Sequence, residues 1–421
     1  METTVSSIAS DCAAAKAASR TLAFATTEAK NRALESIASG LRARTEAVLE
    51  ANAADLADER ARDLTDALID RLSLDRDRVE AMAAGVEAVA ALDDPVGEVL
   101  EMRDLENGIE LSKVRVPLGV VAVVYEARPN VTIDCAVLTI KSGNAILLRG
   151  SSYAERTNGA LAEIVREGLS DAGLPADSVV LSTGGGRDQL AELATQDGVI
   201  DLLIPRGGEG LKNALKDVAT VPVMYAASGN CHVYVNSDAD LDMARAIIIN
   251  AKVSRPGVCN SAETLLVDQA IAAEFLPSTL AGLSEAGVEL VGDRRAVAAS
   301  DGLAVAPAQD ADWDTEFLDL KLAVGVVDGI DAAIEHVNDH GSGHSEAIVT
   351  RSEDAAQRFT TEVDAAAVYV NASTRFTDGF EYGMGAEIGN STQKLHARGP
   401  IGLRELTTFK YVARGDGQVR A

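Results

Sequence analysis

Cysteine is scarce in this 421-residue chain and never paired. Its four cysteines, Cys12, Cys135, Cys231 and Cys259, form no C-x-x-C, which argues against a zinc site or a dithiol redox centre. The opening M-E-T-T-V-S-S-I-A-S-D has no basic segment leading into an apolar core, so no signal peptide is expected. Unpaired cysteines without a secretory segment predict a reducing, cytoplasmic setting. No apolar run approaches the roughly 18 residues of a spanning helix, so no membrane span is expected. Aromatic residues make up only 4% of the chain and lysines number ten, so the bases are mostly arginine. Acids outnumber bases by 65 to 38, a net charge of −27. So large an excess repels nucleic acid and anionic membranes. The acids form no block that would mark an acidic tail. Diffuse acidity with little lysine resembles proteins of salt-loaded cytoplasms, where a Debye length of ~3 Å at ~1 M salt screens the repulsion. Salt adaptation is therefore expected.

What the chain does have is alanine, valine and length. It is 47% hydrophobic, a composition that suits α/β layers in two or three domains. Residues 1 to about 92 read as helical until Asp94-Pro95 stops them. Residues 96–117 alternate around Asn107-Gly108, the strongest short hairpin signal, and are favoured as an oligomerisation arm. Buried strands then alternate with helices. Residues 119–125, 145–148, 178–181 and 200–204 are strand-like, and glycine-containing turns follow at 149–152, 182–186 and 205–208. This is the pattern of a doubly wound sheet, whose glycine turns at strand C-termini bind phosphorylated ligands. None matches G-x-G-x-x-G, so ordinary βα turns remain an alternative. A second alternation runs from about residue 240, with strands expected at 231–235, 263–268, 303–306, 322–327, 347–350 and 368–371. The expected organisation is a first α/β domain at 1–229, a second at 230–376, and a return segment at 377–421. The alternating E-L-T-T-F-K-Y-V of that segment would suit a strand joining a partner's sheet.

The segment S-R-P-G-V-C-N-S-A-E-T-L-L-V places Cys259 between two periodicities. A helical face precedes it at 239–253, Pro256-Gly257 bends the chain, and a short apolar strand follows. A thiol held there by rigid elements yet reachable is what a covalent catalyst needs. A free cysteine is equally a small buried hydrophobe, and pattern alone leaves both readings open.

Ordered blocks add a resemblance. V-P-L-G-V-V-A-V-V-Y-E-A-R-P-N-V-T, K-S-G-N-A-I-L-L-R-G, P-R-G-G, G-N-C-H-V-Y-V, the Cys259 block, H-G-S-G-H-S-E-A-I-V-T, V-N-A-S-T-R-F-T-D-G and G-A-E-I-G-N-S-T-Q-K-L-H-A-R-G-P follow one another along nearly the whole chain. Together they resemble the glutamate-5-semialdehyde dehydrogenases of the aldehyde dehydrogenase superfamily. The resemblance implies two doubly wound α/β domains plus an oligomerisation hairpin. It also implies NADPH-dependent reduction of L-glutamyl 5-phosphate to glutamate 5-semialdehyde, with phosphate released, in proline biosynthesis. Cys259 would carry a thioester, and the side-chain amide of Asn130 and the backbone N–H of Cys259 would hold the oxyanion. Arg149, with Gly150 and Ser151, would take the adenosine ribose or its 2′-phosphate. Gly207 and Gly208 would approach the pyrophosphate, and Glu316 would hold the nicotinamide ribose. Ala226 stands where oxidising relatives carry the glutamate that activates water, so the thioester is expected to escape hydrolysis.

The substrate's carboxylate and phosphate call for cationic donors. Arg128, Arg255 and Arg375 lie in the resembling blocks, and Arg255 could also lower the Cys259 pKa. His340 and His344 could assist; their H-x-x-x-H spacing has no third ligand nearby, so no metal is expected. A homodimer or a dimer of dimers is expected, and a transient contact with glutamate 5-kinase is left open. Two rival readings are a coenzyme A-dependent acylating enzyme and a nucleotide-binding scaffold without chemistry.

Overall fold

A computed structural model describes residues 7–184, 186–225 and 228–420. Its chain divides into two compact units. The first takes the chain through Tyr225, then Gly383–Gly389 and everything from Ile401; the second takes the intervening chain to Tyr382 and Asn390–Pro400. The expected single return segment at 377–421 is therefore shared between the units. The chain re-enters the first, leaves for a short antiparallel pair in the second, and returns.

The first unit begins with helices α1 (Ile8–Leu22), α2 (Thr27–Ala43), α3 (Thr45–Leu56), α4 (Asp66–Leu72) and α5 (Arg76–Ala91). Four of them start where the sequence offers a cap: side-chain oxygens of Ser7, Thr26, Thr65 and Asp75 each accept from a backbone N–H of the first turn. Strands β1 (Val99–Asp104) and β2 (Glu110–Pro117) form the antiparallel hairpin expected at 96–117. Gly108 takes the positive φ, +82°, that its turn requires. A parallel sheet follows from β3 (Val120–Tyr125), β4 (Ala145–Arg149), β5 (Val179–Leu181) and β6 (Leu202–Arg206). These are connected by α6 (Asn130–Lys141), α7 (Glu155–Asp171) and α8 (Arg187–Ala194), and α9 (Glu209–Lys216) follows β6. Strand order is β5-β4-β3-β6. Alternate side chains of the central strands, Val120, Ala122, Val124 and Leu203, pack in one core with Ile8 and Cys12 of α1, Leu193 of α8 and Leu215 of α9. On the other face Tyr125 hydrogen-bonds Thr132 of α6.

The second unit is a seven-stranded sheet whose paired strands all run parallel. Its elements are β7 (Cys231–Val235), α10 (Leu241–Val253), β8 (Ala262–Asp268), α11 (Gln269–Glu285), β9 (Glu289–Gly292), α12 (Arg294–Ala298) and β10 (Val305–Pro307). Then come β11 (Lys321–Val327), α13 (Gly329–His340), β12 (Ser345–Val349), α14 (Glu353–Glu362) and β13 (Ala367–Val370). Strand order is β10-β9-β11-β8-β7-β12-β13. Every residue of β7, β8 and β12 is buried, as parallel strands covered on both faces must be. The antiparallel pair β14 (Asn390–Ser391) and β15 (Gly399–Pro400) belongs to this unit.

The last strand, β16 (Thr407–Arg414), pairs antiparallel along its whole length with β2 of its own chain. Where a partner's sheet was expected to receive it, its own hairpin does. The result is a three-stranded sheet, β1-β2-β16, of which β1 is exposed at every residue.

Candidate active site

Cys259 lies in the turn between α10 and β8, half-buried, while the other three cysteines are buried. The turn is held from both stems. Lys252, in the last turn of α10, meets Glu263 of β8 at 2.6 Å with both side chains fully buried. Burial pushes Lys252 down and Glu263 up, to about 7. The other Glu263 oxygen accepts from the backbone N–H of Leu318. A buried pair of this kind is strongly destabilising to break, because the survivor is left charged and unpaired.

Backbone contacts fix the candidate nucleophile itself. The Cys231 thiol donates to the carbonyl of Cys259 at 3.2 Å. Gly229 presses against the same peptide so closely that a Cβ there would fall 1.4 Å from that oxygen. The N–H of Gly229 donates in turn to a carboxylate oxygen of Glu316 at 2.7 Å. Glu316, expected to hold a ribose, thus also anchors the strap that lies on Cys259.

Two of the three expected substrate arginines come together here. Arg375 donates from Nε to Ser254 Oγ at 3.1 Å and from Nη1 to the Asn260 side chain, while Asn260 donates to the carbonyls of Arg375 and Thr377. Burial lowers the Arg375 pKa, the neighbouring Arg255 charge lowers it further, and Asp378 and Cys259 oppose them. Arg375 therefore shares the electrostatic neighbourhood of Cys259 and is held for it; Arg255 is exposed. Arg128 belongs to the first unit, in the loop before α6.

Both candidate histidines are engaged by neighbouring side chains. His344 is buried, bonds Ser345 Oγ at 2.7 Å, and burial lowers its pKa to about 4. His340 meets Asp314 at 2.9 Å and stacks obliquely on His336. Among the described residues no group of three or more His, Cys, Asp or Glu side chains is placed to hold a metal ion, and no helix is long and apolar enough to cross a membrane.

In the first unit a cavity of about 360 Å³ opens at the C-terminal ends of β4 and β5. Arg149, Gly150 and Ser151, the residues expected at a ribose, line it together with Arg60, Asn158 and Thr183. Gly150 is required: a Cβ would lie 2.2 Å from Asn158 Nδ2 and 3.1 Å from the Tyr125 hydroxyl. The chain Tyr125–Thr132–Asn158, bonded at 2.7 and 3.1 Å, fixes that wall. Arg149 donates to the Gly186 carbonyl at 2.9 Å. Arg60 is oriented by Asp58 at 2.9 Å and reaches Glu155. Sequence reasoning missed Arg60, which enters the cavity from the helical layer far upstream. Gly207 and Gly208 lie outside this cavity, at the end of β6. Gly208 caps α9 and leaves open space where a Cβ would stand.

Asn130 is exposed and opens α6, so its side chain stands at the helix N-terminus, a position that favours developing negative charge. Its amide donates to Asp134, one turn on, at 2.9 Å. Burial raises Asp134 to about 6, against the Asn130 hydrogen bond and the nearby Arg206 charge. Ala226 lies outside the described residues.

Two parallel α/β sheets, a nucleotide-sized cavity at strand C-termini and a braced cysteine turn define a class before any individual relative does. The aldehyde dehydrogenase family model matches residues 2–297 and 322–412, and the chain belongs to that family. More particularly, it is 52% identical over 406 residues to the gamma-glutamyl phosphate reductase of Heliobacterium modesticaldum, covering 96% of this chain and 97% of that one. With the protein of the same name from Carboxydothermus hydrogenoformans it shares 54% over 409 residues. The crystal structure of gamma-glutamyl phosphate reductase from Thermotoga maritima superposes with a TM-score of 0.96 at 45% identity, over 99% of this chain and 100% of that one.

Proposed function

We propose that this protein reduces L-glutamyl 5-phosphate to L-glutamate 5-semialdehyde and releases phosphate, the second step of proline biosynthesis from glutamate, through a thioester on Cys259. The observation that carries the reading is the half-buried Cys259 thiol on a turn braced at both stems, in a chain more than half identical to the named reductases over nearly its full length.

The thiolate attacks the acyl carbon, the bond from carbon to the bridging oxygen breaks, and phosphate leaves with the electron pair. Arg375 favours the thiolate by its charge. The tetrahedral species on either side of the thioester carry an oxyanion, for which the Asn130 amide and the Cys259 N–H are the expected donors. Asp134 presets that amide. Reduction of the thioester regenerates the thiolate and frees the aldehyde.

The cavity at β4 and β5 suits the adenosine end of a dinucleotide, because Arg149, Gly150, Ser151 and Arg60 line it at the strand C-termini and Gly150 lets its wall pack on Asn158. Arg149, Gly150, Ser151 and Arg60 would hold its adenosine end, with Gly207 and Gly208 near the pyrophosphate and Glu316 at the nicotinamide ribose. Two guanidinium groups on one cavity favour a 2′-phosphate, and hence NADPH. When bound, the cofactor supplies the hydride.

The reverse reaction tests this. Glutamate 5-semialdehyde plus NADP⁺ should yield NADPH only when phosphate is present, and Cys259→Ala should bind NADPH yet turn over nothing. Activity with coenzyme A and none with phosphate would overturn the assignment. We further read the enzyme as cytoplasmic and oligomeric. Exposed Val99, Leu100, Met102, Phe409 and Tyr411 on the β1-β2-β16 sheet support a dimer or a dimer of dimers, checked by light scattering in high salt.

A further inference from the structure

Arg206 ends β6 beside Tyr125, its register partner at the end of β3. Its side chain is partly buried and its Nε wholly so, and among the described residues its guanidinium makes no hydrogen bond or ion pair. An arginine carries five N–H donors, and burying them without acceptors is costly. The chain nevertheless makes room for this one. A Cβ on Gly389 would lie 2.4 Å from Nη1 and 3.1 Å from Cζ, so a glycine is what lets the guanidinium pass the backbone.

The face of the sheet says which anion it awaits. Val120, Ala122, Val124 and Leu203 pack on the side of Leu211 and Leu215 of α9. Side chains alternate along a strand, so Arg206 shares the opposite face with Tyr125, which bonds Thr132 of α6. On that face its charge acts on Asp134 and Cys135. Asp134 is the carboxylate that holds the Asn130 amide. The Gly207-Gly208 turn instead opens α9 on the other face, and the nucleotide cavity lies across β4 and β5. Arg206 thus lies on the α6 side of the sheet, where its charge reaches the carboxylate that holds Asn130, while the Gly207-Gly208 turn that follows it leads to α9 on the other side.

We propose that Arg206 binds the phosphoryl group of the acyl phosphate substrate and the phosphate that leaves it. This rests on the function proposed above. In an acyl phosphate the phosphorus is one bridging oxygen from the acyl carbon, so a cation next to the oxyanion donor falls where the leaving group sits. As thiolate attack breaks the bond from carbon to the bridging oxygen, negative charge grows on that oxygen. A planar fork of N–H donors matches it and the phosphoryl oxygens.

The experiment is the reverse reaction on the full chain, with inorganic phosphate varied against saturating glutamate 5-semialdehyde and NADP⁺. Arg206→Gln should raise the KM for phosphate at least about tenfold, and Arg206→Lys, which keeps the charge without the fork, should fall between. The KM values for NADP⁺ and for the semialdehyde should stay within about twofold, as expected for sites that do not share the residue. Unchanged phosphate KM in both variants overturns the proposal. So does a rise confined to NADP⁺, which would make Arg206 a cofactor ligand, or to the semialdehyde, which would make it a carboxylate ligand. If Arg206→Gln does not fold, Arg206→Lys alone decides on the same readout. Should the wild type itself form NADPH without phosphate, the reaction assigned above fails instead, and the two failures are distinguishable.

Discussion

Gly229→Ala tests how tightly the proposed nucleophile, Cys259, is positioned. The added Cβ would sit 1.4 Å from the Cys259 carbonyl oxygen, 2.3 Å from its carbon and 2.7 Å from its Cα. Ordinary contact begins at 3.4 Å, so the two segments must part by about 2 Å (3.4 − 1.4). The Cys231 thiol and the Glu316 carboxylate both resist that movement, at 3.2 and 2.7 Å. Misplacing a reacting group by about 1 Å costs on the order of 10²-fold in rate, so kcat should fall by at least ~10². Overpacking should cost about 1–3 kcal/mol of stability. The assay is steady-state NADPH formation in the phosphate-dependent direction, with fluorescence titration of NADPH to show that binding survives. Gly257, two residues before Cys259, is the internal control. A Cβ there meets only the Leu318 carbonyl at 3.7 Å, so Gly257→Ala should keep most of its activity. A Gly229→Ala enzyme within about threefold of wild-type kcat, on a barrier scale of ~1.36 kcal/mol per tenfold, would refute the reasoning.

Three further predictions follow from buried and surface charge. Lys252→Met leaves Glu263 buried without its partner and should destabilise the chain by about 3 kcal/mol in urea titrations, with Lys252→Met/Glu263→Leu recovering part of the loss. His344 stays neutral in the fold down to about 4 against an ordinary 6.5, so the unfolded chain takes up the proton first and stability is lost as pH falls through that window. The stability advantage of wild type over His344→Gln should therefore shrink by up to about 3 kcal/mol (6.5 − 4, at ~1.36 kcal/mol per pH unit) between pH 7 and pH 4. With a net charge of −27, the melting temperature should rise with KCl; undiminished stability near zero salt would remove the case for salt adaptation.

The features that were legible in the sequence are local. The Cys259 turn shows because helix periodicity, Pro256-Gly257 and an apolar strand follow one another within thirty residues or so. The hairpin shows because Asn107-Gly108 demands it. The helix α6 is less plain, since the apolar run around Cys135 suits a buried helix or a strand alike. Elements went unread for want of length or an apolar face, among them β9 with four residues, α12 with five, the two-residue β14 and β15, and α14, in which only Ala356 and Phe359 are buried. The site partners that escaped notice are joined only by folding. Lys252 reads as one charge in an apolar helix until Glu263 is folded against it. Gly229 is one glycine among 35 until its distance to Cys259 is known. Arg60 carries no local mark at all, and Arg206 is marked only by its place in the P-R-G-G block.

The pairing of β16 with β2 has a consequence for synthesis. Domains ordinarily fold as they emerge, the N-terminal one first. Here the first unit waits for Gly383–Gly389 and for the chain from Ile401, and its last strand docks on a hairpin made almost three hundred residues earlier. The seven-stranded sheet, by contrast, is complete once β13 ends at Val370. On the ribosome the unit that carries the thiol can therefore close its sheet first. The unit that carries the cavity at β4 and β5 gains its final strand last, so chains cut short before Thr407 would keep the cysteine turn but leave an edge of β2 bare.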